Sequence, residues 1–488
     1  MKKLQELFSD SLIYGISSVF ARFVNYLLVP FHTDVFNPAR YSVVGLVYAG
    51  IALLNVLFTM GMESAYLRYA KDRKEAPHIF KTLQLFLLGI ATLLIALLWL
   101  LEPLALPLLN LDEQTAGIYL MMAGILWFDT LAIVPFAELR LVRRSWLFAA
   151  LKSIHVLLNL TLNFWLILSQ GYGIEAVFIS NLAASVLVTV LIWLFTLPMM
   201  RGSWNRYWMK KAFSFGWPFI PAGVGYAINE MLDRFFLNAM SPDAVHSLYG
   251  VQYTPEDIVG IYNACYKAAV FMLLLIQMFR MAWQPFFMRN SDDPEAKQLF
   301  ARVFVCFNLF AAALYLLVGL FIQEIVAIRV PILDATLIGS SYWIGLEIVP
   351  VLLLAYWFHG WYINFSAGIF ISEKTSILPG IMLTGAAITI VANLILVPMA
   401  GMTGAAWATL LSYGTMALLL YHYSSKGFDV PYRIAPSLGL MTVSAALVWG
   451  APYLASAAGL GEVPAKLLLL LLGWTAIGVW FRREWKKG

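Results

Sequence analysis

The side chains best able to do chemistry lie in one apolar stretch, residues 213–240. The stretch is about as long as a membrane-spanning helix, yet it carries Asn229, Glu230, Asp233 and Arg234. At 100° per residue these four fall within about 140° of one helical face. Because a charge at the middle of a bilayer costs at least about 2.5 kcal/mol, lipid cannot face that stripe. The stretch therefore predicts a helix that borders a bundle interior or a water-filled cavity.

The charges on this stripe have two interpretations. Glu230 and Arg234 are spaced i, i+4, and Asp233 adjoins both, so mutual neutralisation is the simpler one. The alternative is that Glu230 and Asp233 bind a coupling ion, H+ or Na+, when the arginine moves away. The sequence leaves both open.

Two more predicted helices carry polar stripes. In the first, Arg22 and Asn25 share a face, and Arg22 lies about 20 Å from the start of the span, which is too deep for easy snorkelling. In the eighth, Asn263, Lys267 and Gln277 share a stripe about 100° wide, a pattern typical of a helix that lines a wet cavity.

Other side chains of the eighth helix have competing readings. Tyr262 and Tyr266 lie beside its stripe, where their rings could stack on sugars, although packing is the more frequent use of such residues. Arg280 lies nearer the cytoplasmic end, about 140° from Lys267, and could instead snorkel to the inner headgroups.

The sign of the interior charge favours an anionic ligand. Guanidinium groups fork onto two oxygens and lysine supplies a point charge, so converging bases would suit a phosphate or diphosphate. The candidates are Arg22, Arg234, Lys267 and Arg280. A carrier of organic cations would need the opposite sign.

Composition sets the class. Hydrophobic residues make up 61% of the 488 residues and charged residues 12%, and mean hydropathy is +0.79, which identifies an integral membrane protein. Both cysteines lie in apolar segments, so we expect no disulfide, metal or cofactor. The basic N-terminus lacks a cleavage site and reads as a retained helix. A nucleic-acid partner is not expected.

Hydropathy and loop signals predict about fourteen transmembrane helices, an all-α fold. The spans are roughly 9–31, 41–66, 80–101, 116–138, 148–169, 174–197, 213–240, 258–288, 298–323, 342–371, 377–399, 402–424, 433–455 and 464–481. Most of the 32 Lys and Arg residues then fall in cytoplasmic segments, whereas the outer loops hold only Arg40, Arg329 and Lys466. Both termini are therefore predicted to be cytoplasmic.

An internal repeat predicts how the helices are grouped. Residues 163–176 match residues 393–406 in the spacing of Asn, Gly and Ala. Six predicted helices separate the copies, so the halves are parallel repeats around a central cavity. The predicted parts are a six-helix lobe over 1–210, a second over 211–430, and two appended helices over 431–488.

Four other polar residues within predicted spans are isolated in the sequence pattern. We interpret each as a satisfied polar side chain rather than part of a site: Asp129, Glu138, His155 and His359.

Four segments together resemble a known family: YSVVGLVYAG, FGWPFIPAGVGYAINEMLDRFFL, GIYNACYKAA and ANLILVPMAGMTGAAWATLLSYG. They are similar to the polysaccharide transporter branch of the multidrug/oligosaccharidyl-lipid/polysaccharide superfamily, the O-antigen and exopolysaccharide repeat-unit flippases of bacteria. The resemblance implies a monomeric, two-lobed carrier in the cytoplasmic (inner) membrane. It would move an undecaprenyl-diphosphate-linked oligosaccharide by alternating access, with other polysaccharide assembly proteins as partners.

The resemblance also implies site roles. In related flippases, arginines of helices 1 and 8 bind the diphosphate, and helices 13 and 14 hold the lipid tail. Arg22 matches the first position, whereas helix 8 offers Lys267 or Arg280. The acidic residues Glu230 and Asp233 depart from a purely cationic cavity.

Two other functions stay open. The first is a cation-coupled multidrug exporter of the same superfamily, which the interior acids would suit. The second is a membrane-embedded polysaccharide polymerase or ligase, but the longest outer loop, residues 241–257, is too short for a catalytic domain.

Overall fold

The computed structural model describes residues 28–331 and 334–486. By compactness it divides into two units, described separately below. The N-unit comprises Phe36–Pro242 and Val251–Gly260. The C-unit comprises Asp243–Gly250, the chain from Ile261 onward, and the described residues up to Val35. The predicted three-part division stays a prediction.

Helices make up almost the whole described chain, which confirms the predicted fold class. Up to residue 249 they are α1 Leu28–Val35, α2 Pro38–Thr59, α3 Met62–Tyr69, α4 Ala76–Leu108, α5 Gly117–Leu141, α6 Ser145–Phe164, α7 Glu175–Thr196, α8 Arg206–Gly216, α9 Phe219–Met231, α10 Asp233–Asn238 and α11 Pro242–Tyr249. A π turn, Trp165–Ser169, extends α6, and a 3₁₀ turn, Leu197–Arg201, follows α7.

The later helices include the longest of the chain. They are α12 Pro255–Ala268, α13 Val270–Asn290, α14 Ala296–Val326, α15 Ile348–Ile371, α16 Leu378–Ser425, α17 Ile434–Ala458 and α18 Glu462–Lys486. Short 3₁₀ turns, Ser340–Gly345 and Thr375–Ile377, precede α15 and α16. Two antiparallel strands, β1 Arg329–Val330 and β2 Ala335–Thr336, follow α14.

Within residues 28–331 and 334–486, 11 helices are long and apolar enough to cross a membrane. The predicted first span lies almost wholly outside these residues. Helix α16 covers two predicted spans. Its backbone kinks between them at Gly401, where φ is 53° and ψ is −127°. The number fourteen therefore stays a prediction, while the multi-pass membrane class is confirmed.

The predicted seventh span is not one continuous helix, so the prediction for 213–240 needs correction. Helix α8 ends at Gly216, α9 begins after Pro218, and α9 and α10 are divided at Leu232. The first interruption has a sequence cause, since Pro218 has no N–H to continue the ladder. No Gly or Pro marks the second.

Proline also shapes the core of the N-unit. Pro135 lies inside α5 and cannot donate to the carbonyl of Leu131 one turn earlier. Gln84 of α4 and Trp193 of α7 donate to that carbonyl instead, at 2.8 and 3.1 Å. Three helices are thereby tied at one depth, and the freed backbone group is satisfied without water.

The C-unit is built around α15. Almost all of its membrane window, 94%, is buried inside the protein. It packs against α13, α14 and α16, so it is apolar all round rather than amphipathic. Polar groups on this helix must therefore find partners within the unit.

The two segments of the predicted repeat have matching local structure. The amides of Asn163 and Asn393 each donate to the carbonyl four residues earlier, at 2.9 and 2.7 Å. Gly171 and Gly401, also 230 positions apart, both have positive φ. The repeat of whole lobes stays a prediction.

Candidate functional site

The polar residues of the seventh predicted span gather at the break between α9 and α10. Asn229 and Glu230 end one helix, and Asp233 and Arg234 begin the next. All four are buried within the N-unit. The interruption is local, because Leu232 keeps right-handed helical dihedrals, with φ −70° and ψ −26°.

Arg234 is held by its own neighbours in sequence. Its Nη1 lies 2.8 Å from Asp233 Oδ1 and donates to the main-chain carbonyl of Glu230, also at 2.8 Å. Its main-chain N–H donates to the same Asp233 oxygen at 2.9 Å. Since buried ions must be compensated, an incoming anion would compete with Asp233, and an incoming cation would compete with Arg234.

The candidates of the first predicted helix, Arg22 and Asn25, lie outside the residues that the structure describes. Their roles as diphosphate and polar contacts stay predictions.

The candidates of the eighth predicted span belong to the C-unit and are divided by a break at Ala269. Tyr262, Asn263 and Tyr266 of α12 are buried. Lys267 and Gln277 are half-buried, and Arg280 is exposed. The break places Lys267 in α12, and Gln277 and Arg280 in α13.

An aromatic group of the C-unit surrounds the two predicted tyrosines. The Tyr356 hydroxyl donates to the Tyr266 hydroxyl at 2.8 Å, and their rings meet edge to face. The Tyr262 and Tyr266 rings lie 5.7 Å apart, and Tyr413 lies against both Tyr356 and His359. Such rings are a suitable surface for sugars and equally a well-packed core.

His359, interpreted above as satisfied, lies in this aromatic group. It is buried, and its Nδ1 has no hydrogen-bond partner among the described residues. The spacing i, i+3 from Tyr356 to His359 was the available sequence signal for the group.

Two residues interpreted as isolated are not, which corrects the sequence analysis. His155 Nε2 of α6 lies 3.3 Å from the Ser185 hydroxyl of α7. The Asp129 carboxyl of α5 approaches the same hydroxyl. Sequence reasoning missed this group because its members come from three helices.

Glu138 is satisfied, as expected. Its carboxylate accepts from the Tyr66 hydroxyl at 2.8 Å and from both terminal nitrogens of Arg73, at 3.0 and 2.5 Å. These hydrogen bonds raise the pKa of the Arg73 guanidinium, which lies in the loop after α3. Nearby, Arg140 forms an ion pair with Glu63. Paired charges thus link α3 and the loop after it to the C-terminal end of α5.

Comparison with known families now adds to this geometry. Residues 35–330 match the family model described as "Polysaccharide biosynthesis protein". The match covers more than half of the chain. The chain belongs to this family.

The solved structures similar to this family member share its fold at low identity. The lipid II flippase MurJ, in an inward closed conformation, has a TM-score of 0.69 at 15% identity, covering 97% of this chain and 99% of that one. An outward-facing multidrug resistance MATE transporter of the MOP superfamily has a TM-score of 0.59 at 14% identity, covering 91% and 99%.

A third similar structure is a MOP superfamily transporter from Pyrococcus furiosus. Its binding pocket is described as having reverse polarity. It has a TM-score of 0.58 at 13% identity, covering 87% of this chain and 95% of that one. No protein of curated function matches the sequence. The resemblance stated from the four segments is confirmed at the level of the family, and the solved structures show the shared fold.

A resident metal has no evident place in the described part of this family member. Among residues 28–331 and 334–486, no group of three or more His, Cys, Asp or Glu side chains could hold a metal ion. The absence of a cofactor and the nature of the coupling ion stay predictions.

Proposed function

We propose that this protein is a flippase that moves undecaprenyl-diphosphate-linked oligosaccharide repeat units across the bacterial cytoplasmic membrane for surface polysaccharide synthesis, such as O-antigen. It acts as a transporter and not as an enzyme. Membership of the polysaccharide biosynthesis family carries the proposal, and the fold shared with MurJ supports it.

The described site residues are compatible with this substrate. Lys267 and Arg280 retain accessible surface in the C-unit, and ammonium and guanidinium groups bind phosphate oxygens well. Tyr262 and Tyr266 offer rings to the glycan, and Gln277 and Asn263 offer amides. In this proposal Arg22 and Arg234 complete the diphosphate contacts, with Asn25 and Asn229 as polar neighbours.

The protein works as a monomer with both termini in the cytoplasm, next to other polysaccharide assembly proteins. The appended helices α17 and α18 hold the lipid tail, for which their many exposed leucines are suited. A proton or sodium ion drives the cycle. Glu230 and Asp233 are the coupling-ion candidates that the sequence offers.

Ligand binding to the purified protein tests the anionic substrate class. We expect it to retain undecaprenyl-diphosphate oligosaccharide in native mass spectrometry, and Lys267→Ala to weaken binding about tenfold, since a hydrogen bond to a charged group contributes about 1.5–3 kcal/mol. Arg329→Ala is the matched control, because Arg329 is an exposed base at the start of β1 whose Nη1 lies 3.4 Å from Asp334 Oδ1.

The alternative is a cation-coupled multidrug exporter, favoured by the buried acids Glu230 and Asp233 and by the fold shared with MATE transporters. Retention of an organic cation, lost in Glu230→Gln, together with no retention of the lipid-linked sugar, would establish it and refute the flippase proposal.

A further inference from the structure

Three helices of the N-unit bring an acid, a base and a hydroxyl to one point. Asp129 comes from α5, His155 from α6 and Ser185 from α7. His155 Nε2 lies 3.3 Å from Ser185 Oγ, Asp129 approaches that hydroxyl, and Ser185 is 1% exposed. A single hydroxyl therefore lies between a carboxyl group and an imidazole.

This group lies at the centre of the apolar layer. Asp129 is at the midpoint of Gly117–Leu141, and His155 and Ser185 are at the midpoints of Ser145–Phe164 and Glu175–Thr196. Each of these helices is apolar and long enough to cross a membrane. Ionisable groups at this depth are expensive, and they usually mark a pathway for ions or substrate.

Neither the acid nor the base is sealed inside the N-unit. Asp129 is exposed at the surface of the N-unit and His155 is half-buried. Lipid cannot cover an ionised carboxylate at mid-membrane, so the face that carries Asp129 borders water or substrate. A proton can thus reach the group from solution.

Charged and titratable neighbours come from the helices that pack against α5. Helix α7, besides Ser185, contributes Glu175 in its first turn, far from this group. Lys152 of α6 lies one turn from His155 with its Nζ 4.2 Å from the Phe136 ring, and its charge acts on Asp129. Tyr48 of α2 also acts electrostatically on Asp129, and its hydroxyl accepts from Asn181 at 2.8 Å.

The remaining charges on the packed helices lie towards the helix ends. Helix α3 contributes Glu63, which is paired with Arg140. Helix α4 carries its titratable residues near its two ends: His78, Lys81 and Glu102.

We propose that Asp129, Ser185 and His155 form a proton-binding site, in which the serine hydroxyl connects the two titrating groups. With Asp129 ionised, His155 Nε2–H donates to Ser185 Oγ and the hydroxyl donates to the carboxylate. When one proton binds to Asp129, the direction reverses: the carboxylic acid donates to Ser185, and the hydroxyl donates to a His155 that carries its hydrogen on Nδ1.

Proton binding changes the charge of the group by one. With Lys152 charged, ionised Asp129 and neutral His155 sum to zero, and the extra proton makes the sum +1. The step balances as a relay: the proton from water enters at His155 Nδ1, the Nε2 hydrogen passes to Ser185 Oγ, and the serine hydrogen passes to the Asp129 carboxylate. The reverse relay returns the proton to water. Such a change at mid-membrane alters the preference of this face for an anionic ligand.

The part of the proposal that concerns coupling rests on the proposed function. In a flippase, this site carries the driving proton within the N-unit, in place of Glu230 and Asp233. Proton binding itself is independent of what the protein transports, so the two parts can be tested separately.

Infrared difference spectra of the purified protein, recorded between about pH 5 and pH 8, where a histidine-linked group titrates, test the binding site. We expect a carboxyl C=O band that disappears in Asp129→Asn and persists in Asp112→Asn, a control carboxyl in the exposed loop before α5. A band unchanged in Asp129→Asn would overturn the site.

The chain has 6 histidines, so ¹⁵N-histidine NMR can follow His155. Its ring signals, assigned through loss in His155→Gln, should titrate together with the carboxyl band in the wild type. In Ser185→Ala, which keeps both titrating groups and their helices, the two titrations should separate. If the His155 signals and the carboxyl band titrate independently in the wild type, the link through Ser185 is overturned. This result does not depend on whether Asp129→Asn folds.

Proteoliposomes containing a pH-sensitive dye test coupling. Flipping of the lipid-linked oligosaccharide should be accompanied by proton flux in the wild type and in Asp112→Asn, but not in Asp129→Asn. If the wild type flips substrate without proton flux, the coupling part is wrong. If it flips no substrate, the proposed function is wrong, and the spectra still decide the proton site.

Discussion

The interiors of the two units satisfy polar groups in different ways. The N-unit buries charged groups and pairs them: Arg234 with Asp233, and Glu138 with the half-exposed Arg73. It also holds the hydrogen-bonded His155 and Ser185. The C-unit interior uses aromatic rings with neutral partners, as in the Asn308 oxygen that accepts from the indoles of Trp357 and Trp361 at 2.8 and 2.7 Å. The C-unit also buries one charged side chain, Lys466, which pairs with Glu324 at 2.9 Å. The contrast is therefore between these two sets of contacts, charged in the N-unit and aromatic in the C-unit.

Among the variants that test this comparison of the two interiors, we expect the largest change in the free energy of unfolding at Asn308. Asn308→Leu leaves two buried indole N–H groups without an acceptor, at about 1–3 kcal/mol each, so the free energy of unfolding should fall by about 3 kcal/mol. Chemical denaturation in detergent measures it. Asn290→Leu is the control, since that amide donates only to the carbonyl of Phe286, and it should change stability by less than about 0.5 kcal/mol.

The corresponding test in the N-unit is Glu138→Gln. Removing this buried charge weakens the contacts with Arg73 and Tyr66 and should lower the free energy of unfolding by about 2 kcal/mol, less than for a fully buried pair because Arg73 is half-exposed.

Glu63→Gln is its matched control. That residue pairs with Arg140 at the surface, so its loss should lower stability by less than about 1 kcal/mol. Equal effects at the two positions would contradict the view that buried charge pairs hold the N-unit together.

Gly171 and Gly401, the two positive-φ glycines 230 positions apart, give a smaller, paired comparison. Gly171→Ala places a Cβ in open space and should cost about 1 kcal/mol for its positive φ alone. Gly401→Ala meets the Tyr249 hydroxyl, which accepts from the Met402 N–H at 2.7 Å. Losing that bond should add about 1 kcal/mol. Thermal unfolding of the two variants measures the difference, and a larger effect at Gly171 would contradict the geometry.

Tyr249 also gives an effect that is confined to alkaline solution. Burial raises the pKa of its phenol to about 12. A phenol with a raised pKa stabilises the folded state fully below its unfolded pKa of about 10, and this stabilisation is lost as the pH rises towards 12. Tyr249→Phe should therefore show a smaller drop in unfolding temperature between about pH 9 and pH 11 than the wild type.

The sequence was sufficient for the class of the fold and for several local features. Continuous apolar spans predicted the membrane helices. The glycine spacing of the predicted repeat paired Gly171 with Gly401, and both have positive φ. The break at Leu232 could not be predicted, because no glycine or proline marks it and the polar residues beside it also fit one face of a continuous helix. Periodicity along one helix reports which residues share a face and does not report a local interruption.

The same limit explains which site residues were missed. Asp129, His155 and Ser185 meet only because α5, α6 and α7 pack together, over separations of 26 to 56 positions. A helical pattern shows which residues share a face but not what that face meets. Single interior residues such as Asp129 are therefore interpreted too readily as isolated.

The most direct test of the proposed function is flipping of a fluorescent undecaprenyl-diphosphate oligosaccharide in proteoliposomes that contain the purified protein. We expect transport by the wild type, a marked loss in Arg22→Ala and Lys267→Ala, and normal transport in Arg329→Ala. Folded protein that moves an organic cation but no lipid-linked oligosaccharide would contradict the account.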